Sequence, residues 1–272
     1  ICFSGTPSNL LPMDLGGCQY EPGSDGKVLS VLTNPDVVSC ESKPGWSARS
    51  ILRDVAHAST RDGGRVVHAL IDTGALVTGM DNLAVARYLI QHLPSDTFDG
   101  VVYLDNADRQ MILLRNAARP AQLAQVGLPP ERRFSFYDQV HTTGMDIKQA
   151  PSACAVLTIG KDMTFRDYAQ GAFRMRQIGM GQTLVLYLIP EVENRMQEEL
   201  GVPQNRGGSS LVDVPAWLLL NSMRMESLQF IQLSTQELQN VWRKDPGCDS
   251  EHWGVTRGRR FDWQHQSHVR RL

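Results

Sequence analysis

Residues 133–160 read RFSFYDQVHTTGMDIKQAPSACAVLTIG, two apolar runs joined by a polar loop. ACAVLTIG is apolar almost without interruption, as a strand covered on both faces is, and RFSFYD, with Phe134, Phe136 and Tyr137, also reads as a buried strand. The loop HTTGMDIKQAPS has turn chemistry: glycine supplies backbone freedom and Asp146 can cap the next element. Upstream, RVVHALID and GVVYLD repeat the strand pattern, and QTLVLYLI repeats it downstream. Helical spacing separates them. WSARSILRDVAHAST aligns Ile51, Leu52, Val55 and Ala56, and NLAVARYLIQHL aligns Leu83, Ala86, Leu89, Ile90 and Leu93. TFRDYAQGAFRMR and EVENRMQEEL are two further helices, and MILLR, after the polar NADRQ, is the hairpin partner of GVVYLD. Strands alternating with helices predict an α/β, doubly wound parallel sheet over residues 46–200.

The flanks read differently. ICFSG is a short strand entering a turn, and residues 1–45 form a connector with one strand-like run, KVLSVLT. Over 201–272, QNRGGSS is a break, VPAWLLLNSMRMESLQFIQL is helical, and the tail GVTRGRRFDWQHQSHVRRL is basic and aromatic without periodicity. The abrupt opening predicts a piece of a larger protein. Lys+Arg 27 against Asp+Glu 29 leaves a net charge of -2, which excludes an overall basic field. Five scattered cysteines, with no C-x-x-C pair and no zinc spacing, point to a reducing compartment, cytoplasm or nucleus. No apolar run reaches the length of a membrane span.

In an open parallel sheet, ligands bind where strand-to-helix loops gather at the carboxyl ends of the strands. Three loops qualify: Asp72-Thr73-Gly74, His141 to Asp146, and Gly160-Lys161-Asp162. The next helix carries Gln170, Arg174 and Arg176, and arginine forks suit phosphate. Taken singly, a Thr-Gly-x-Asp turn is most often only a turn, and helix arginines are usually a solvated face. Their order points to an anionic, nucleotide-like ligand.

That order, strand, TTGMDI, strand AVLTIG, then KDMTFRDYAQGAFRMRQIGMGQTLVLYL, resembles the second RecA-like domain of superfamily-two helicases. The resemblance implies a P-loop-NTPase-like second lobe. By position, Thr143, Gly144 and Asp146 match the family's fifth motif, which couples nucleotide to nucleic acid. Gln170, Arg174 and Arg176 match the sixth, whose arginines act as arginine fingers. Ser4, Gly5 and Thr6 look like the third motif, which closes a first lobe. Phe173 stands where the family has glycine, and Arg176 falls one position early. No G-x-x-x-x-G-K-S/T occurs, so the resemblance implies ATP and magnesium held jointly with an upstream RecA-like lobe. Asp138-Gln139-Val140-His141 echoes a D-E-A-H box without its glutamate.

The phrases ALIDTGALVTGMDN, FYDQVHTTGMDIK and LTIGKDMTFRDYAQGAFRMRQIGMGQ also resemble very large eukaryotic proteins catalogued as ubiquitinyl hydrolases, cysteine-type deubiquitinases. That resemblance implies a thiolate, a histidine base and an orienting group. The candidates are Cys154, His141 and Asp138, with ubiquitinated protein as partner, although Cys154 in an apolar strand reads first as a core thiol. A scaffold domain without catalysis is the third expectation.

Overall fold

The computed structural model describes residues 23–59, 66–142, 144–202 and 211–244. In chain order the strands are β1 (Val38–Ser42), β2 (Val67–Ile71), β3 (Gly100–Leu104), β4 (Gln110–Leu114), β5 (Ala121–Gln122), β6 (Arg133–Tyr137), β7 (Cys154–Thr158) and β8 (Thr183–Leu188). The helices are α1 (Ser24–Leu32), α2 (Ala48–Ala58), α3 (Asn82–His92), α4 (Phe165–Ala172), α5 (Pro190–Leu200) and α6 (Asp213–Lys244). One eight-stranded sheet runs β1-β8-β7-β2-β6-β3-β4-β5, an α/β architecture with β1 through β3 parallel and β4 and β5 antiparallel at the edge.

The parallel strands need cover on both faces, and their burial matches. Every residue of β3, β6 and β7 is buried. From α2, Ile51, Leu52, Val55 and Ala56 enter the core, as their spacing predicts, after a Ser47 cap that accepts from Ser50 N. Asp81 caps α3 by accepting from Ala84 N, and α3 packs on β3 and against α2. The expected hairpin of GVVYLD with MILLR is the β3–β4 pair.

Three expectations fail. KVLSVLT is not a strand but most of α1: Val28, Val31 and Leu32 fall on one helical side, with Leu32 fully buried. Residues 38–42, assigned to a connector, are β1, paired in parallel with the distant β8 and so part of the sheet. Cys40 therefore lies on a strand, where burial first and then Glu193 and Asp213 push its thiol up to about 12. The helix expected through Arg176 stops at Ala172. Its end tightens, with Arg174 N and Met175 N donating three residues back to Gly171 O and Ala172 O.

The chain divides into two units, residues 1–223 and 224–272. Within the first, α5 and the start of α6 complete the packing. Trp217 is fully buried and its Nε1 donates to Glu199 at 2.8 Å. The second unit, over its described residues, is helical and exposes Leu228, Phe230 and Ile231. Among the described residues no helix is long and apolar enough to cross a membrane. The strand expected in ICFSG, Ser4, Gly5, Thr6 and the basic tail lie outside the described residues, as does Thr143.

Candidate functional site

The strand order reverses around β2. The chain lays β3 and then β6 on one side of it, crosses, and lays β7 and β8 on the other. Loops leaving β2, β6 and β7 must therefore diverge, and they leave a crevice at the carboxyl ends. A cleft of about 400 Å³ occupies that position, lined among others by Thr73, Gly74, Thr142, Gly160, Lys161 and Asp167. The three loops singled out from the sequence meet here.

Asp72 organises the first loop. It is 1% exposed and accepts from Leu76 N at 2.9 Å, Val77 N at 2.8 Å and Thr158 Oγ1 at 2.6 Å. Burial pushes its carboxyl above the ordinary range, against those hydrogen bonds, which favour the charged form. Thr158 Oγ1 in turn accepts from Gly74 N at 2.9 Å, tying the β2 loop to β7. The backbones then come close. A Cβ on Gly74 would lie 2.7 Å from Gly160 N, and one on Gly171 would lie 2.6 Å from Thr73 Oγ1. Three glycines distant in sequence thus let two loops and α4 converge.

The opening of α4 is set locally. Thr164 and Asp167 form a reciprocal capping box, so TFRD starts a helix at the cleft edge. Asn221 and Ser222 of α6 hold the approach to it, through Met163 O at 3.1 Å and Phe165 N at 3.0 Å.

The second loop is pinned at both ends. Tyr137 Oη accepts from Ile147 N at 2.8 Å, tying the residue before the loop to the residue after it, so that the loop is an arch between them. Burial pushes the Tyr137 phenol up to about 12, so it stays protonated. Gly144 has φ of 81°, a backbone that its lack of Cβ permits. Gly144 and Asp146 are exposed.

The arginines meet that arch. Arg174, buried, donates from Nη1 to Met145 O and from Nε to Gln170 O at 3.2 Å. Burial, then the neighbouring Arg176 charge, lowers its pKa. Arg176, its side chain 58% exposed, pairs with Asp146 at 2.9 Å. The structure thus brings Gly144, Asp146, Gln170, Arg174 and Arg176 together, with the arginines beyond the end of α4 rather than on it. They do not line the cleft at the switch point.

Cys154, His141 and Asp138 are not one group. Tyr137 and Leu157 share a register with Ile71, and Cys154 lies three residues before Leu157, about 10 Å down the strand. His141 lies beyond Tyr137 at the other end. Its ring nitrogens meet Asp138 and Asp108, so neither is left to serve as a base. Asp108 and Gln110, which contact this loop, were missed by sequence reasoning. Their only signal was their place beside a hairpin turn, which does not say what the turn touches.

Among the described residues no group of three or more His, Cys, Asp or Glu could hold a metal ion. Lys161 at the cleft and the exposed guanidinium of Arg176 are, among the described residues, cations that could meet an anionic ligand. Compared with known proteins, the chain matches no family model, no curated protein and no solved structure.

Proposed function

We propose that this chain is the second RecA-like lobe of a helicase-like core, presenting a nucleotide-sensing arch and arginines to an NTP site completed by another lobe. One observation carries the reading. The TTGMD arch and the arginine segment, separate in sequence, are joined by Arg174 to Met145 O and by Arg176 to Asp146. The order β6, arch, β7, α4, glycine-rich turn, β8 is the order that the resemblance implies. Arg176 is the exposed member, able to exchange Asp146 for a phosphate; Arg174 is the buried one that positions the arch. Phosphate cradle and magnesium belong to the other lobe, an upstream part of the same protein. The compartment is cytoplasm or nucleus, and the substrate class is nucleic acid. The thiol-hydrolase alternative gains no support from the separation of Cys154 and His141.

The test is ATPase activity of the protein extended upstream, beside the chain alone. The chain alone should not turn over ATP, and Arg176→Ala in the longer protein should lower kcat by about 10³-fold, the scale of an arginine finger. Unchanged turnover in Arg176→Ala, or no turnover in the longer protein, refutes the reading.

A further inference from the structure

The β3–β4 hairpin touches the arch at two points that the nucleotide reading does not use. At its turn, Asp108 has φ of 57°, a left-handed conformation that aspartate adopts more readily than most side-chain-bearing residues. Its carboxylate is 74% exposed and lies 2.9 Å from His141 Nε2. Just after the turn, Gln110 Nε2 donates to Asp146 O at 2.9 Å. His141 Nδ1 meets Asp138 Oδ1 on the imidazole's other side.

The imidazole side chain is only 9% exposed, so water has little room to replace either partner. Ionised carboxylates only accept, and a neutral imidazole has a single N–H to donate. Imidazolium alone can satisfy both. We propose that His141 is a proton-operated clasp: protonated, it fastens the β3–β4 turn to the arch carrying Gly144 and Asp146; deprotonated, it lets the turn go. Asp108 is the side released, because Asp138 sits three residues away on the same loop and is 22% exposed against 74% for Asp108. Among the described residues, release leaves Gln110 as the hairpin's remaining side-chain hydrogen bond to the arch, beside the Asp146 that pairs with Arg176.

The charges facing the imidazole all favour its proton. Asp138 faces it from its own loop and Asp108 from the hairpin. Asp81, at the start of α3, lines the same cleft of about 300 Å³ together with Asn82, Asn106 and Val140. Among the described residues no lysine or arginine lines that cleft. Burial works against the charged form, but the hydrogen bonds and charges of Asp138 and Asp108 outweigh it and hold His141 above its usual 6.5. The proton is therefore held to a higher pH than on an ordinary imidazole, and histidine is the side chain whose charge changes nearest physiological pH.

The clasp goes beyond the nucleotide reading and needs no ligand, so the two fail separately. The test is a pH titration of the full chain by NMR, following the His141 ring and the amides of Gln110, Gly144, Met145 and Asp146. The ring should titrate above 6.5 and the four amides should move with the same midpoint. Asp108→Asn removes the charge at an exposed position while keeping a residue that tolerates left-handed backbone. It should lower the midpoint by roughly 1 pH unit. An unmoved midpoint in that variant, or amides at 144–146 that stay still while His141 titrates, overturns the clasp.

Discussion

Adding one methyl group at Gly74 tests the convergence that creates the cleft. Its φ lies outside the left-handed region, so alanine meets no backbone penalty there and the whole cost is contact. The new Cβ would stand 2.7 Å from Gly160 N and 2.8 Å from Ile159 C, both backbone atoms with no rotamer to swing aside. The β2 and β7 loops must therefore part. Overpacking of this kind costs about 1–3 kcal/mol. Parting also stretches the 2.9 Å hydrogen bond from Gly74 N to Thr158 Oγ1, worth about 1 kcal/mol. Gly74→Ala should thus destabilise the chain by about 2–4 kcal/mol, a large share of the roughly 5–15 kcal/mol typical of a domain. Urea unfolding followed by circular dichroism measures it. Gly26→Ala is the control: it lies inside α1 with nothing within 4 Å of the added atom, and should gain up to about 1 kcal/mol. A Gly74→Ala cost under about 0.5 kcal/mol would mean that the loops do not approach as described.

Two further outcomes concern titrating groups. Asp72→Asn replaces one of two accepting oxygens with a donor facing backbone N–H groups, and should cost about 1–3 kcal/mol. Because burial raises the Asp72 pKa above 3.8 in the fold, its stabilising contribution is greatest below that value and declines as pH rises through the folded pKa. The Asn variant's deficit should therefore shrink on going from acid to neutral pH; a deficit that grows speaks against it. For His141 the folded pKa is also raised, so its ion pairs stabilise fully below 6.5 and the contribution is lost as pH rises through the folded value. The stability advantage over His141→Gln, from urea melts between about pH 6 and about pH 9, should fall. A constant difference would refute it.

The parallel strands could be read from ACAVLT and TLVLYL, and more weakly from the aromatics of RFSFY, because strands buried on both faces are apolar at nearly every position. α2 and α3 were legible for the complementary reason, an apolar stripe at helical period behind a capping residue. Short apolar runs lack that redundancy. KVLSVL satisfies a strand template and a helix template alike, and only packing of Leu32 into the core chose the helix. β1 was illegible because an edge strand is defined by its partner, and the partner is β8.

The same division holds at the site. Local chemistry placed loops with glycine, threonine and aspartate at the ends of β2, β6 and β7. It also marked Arg174 and Arg176, but not that one is buried against Met145 O while the other is exposed on Asp146. Sequence by itself determined α2, α3, most of the parallel strands and the ends at which loops gather, because periodicity, capping and turn propensity act over a few residues. Tertiary structure alone decided the strand order, the Gly74–Gly160 approach and the grip of the β3–β4 hairpin on His141. Each of those joins residues whose neighbours in the chain carry no information about the other side of the contact.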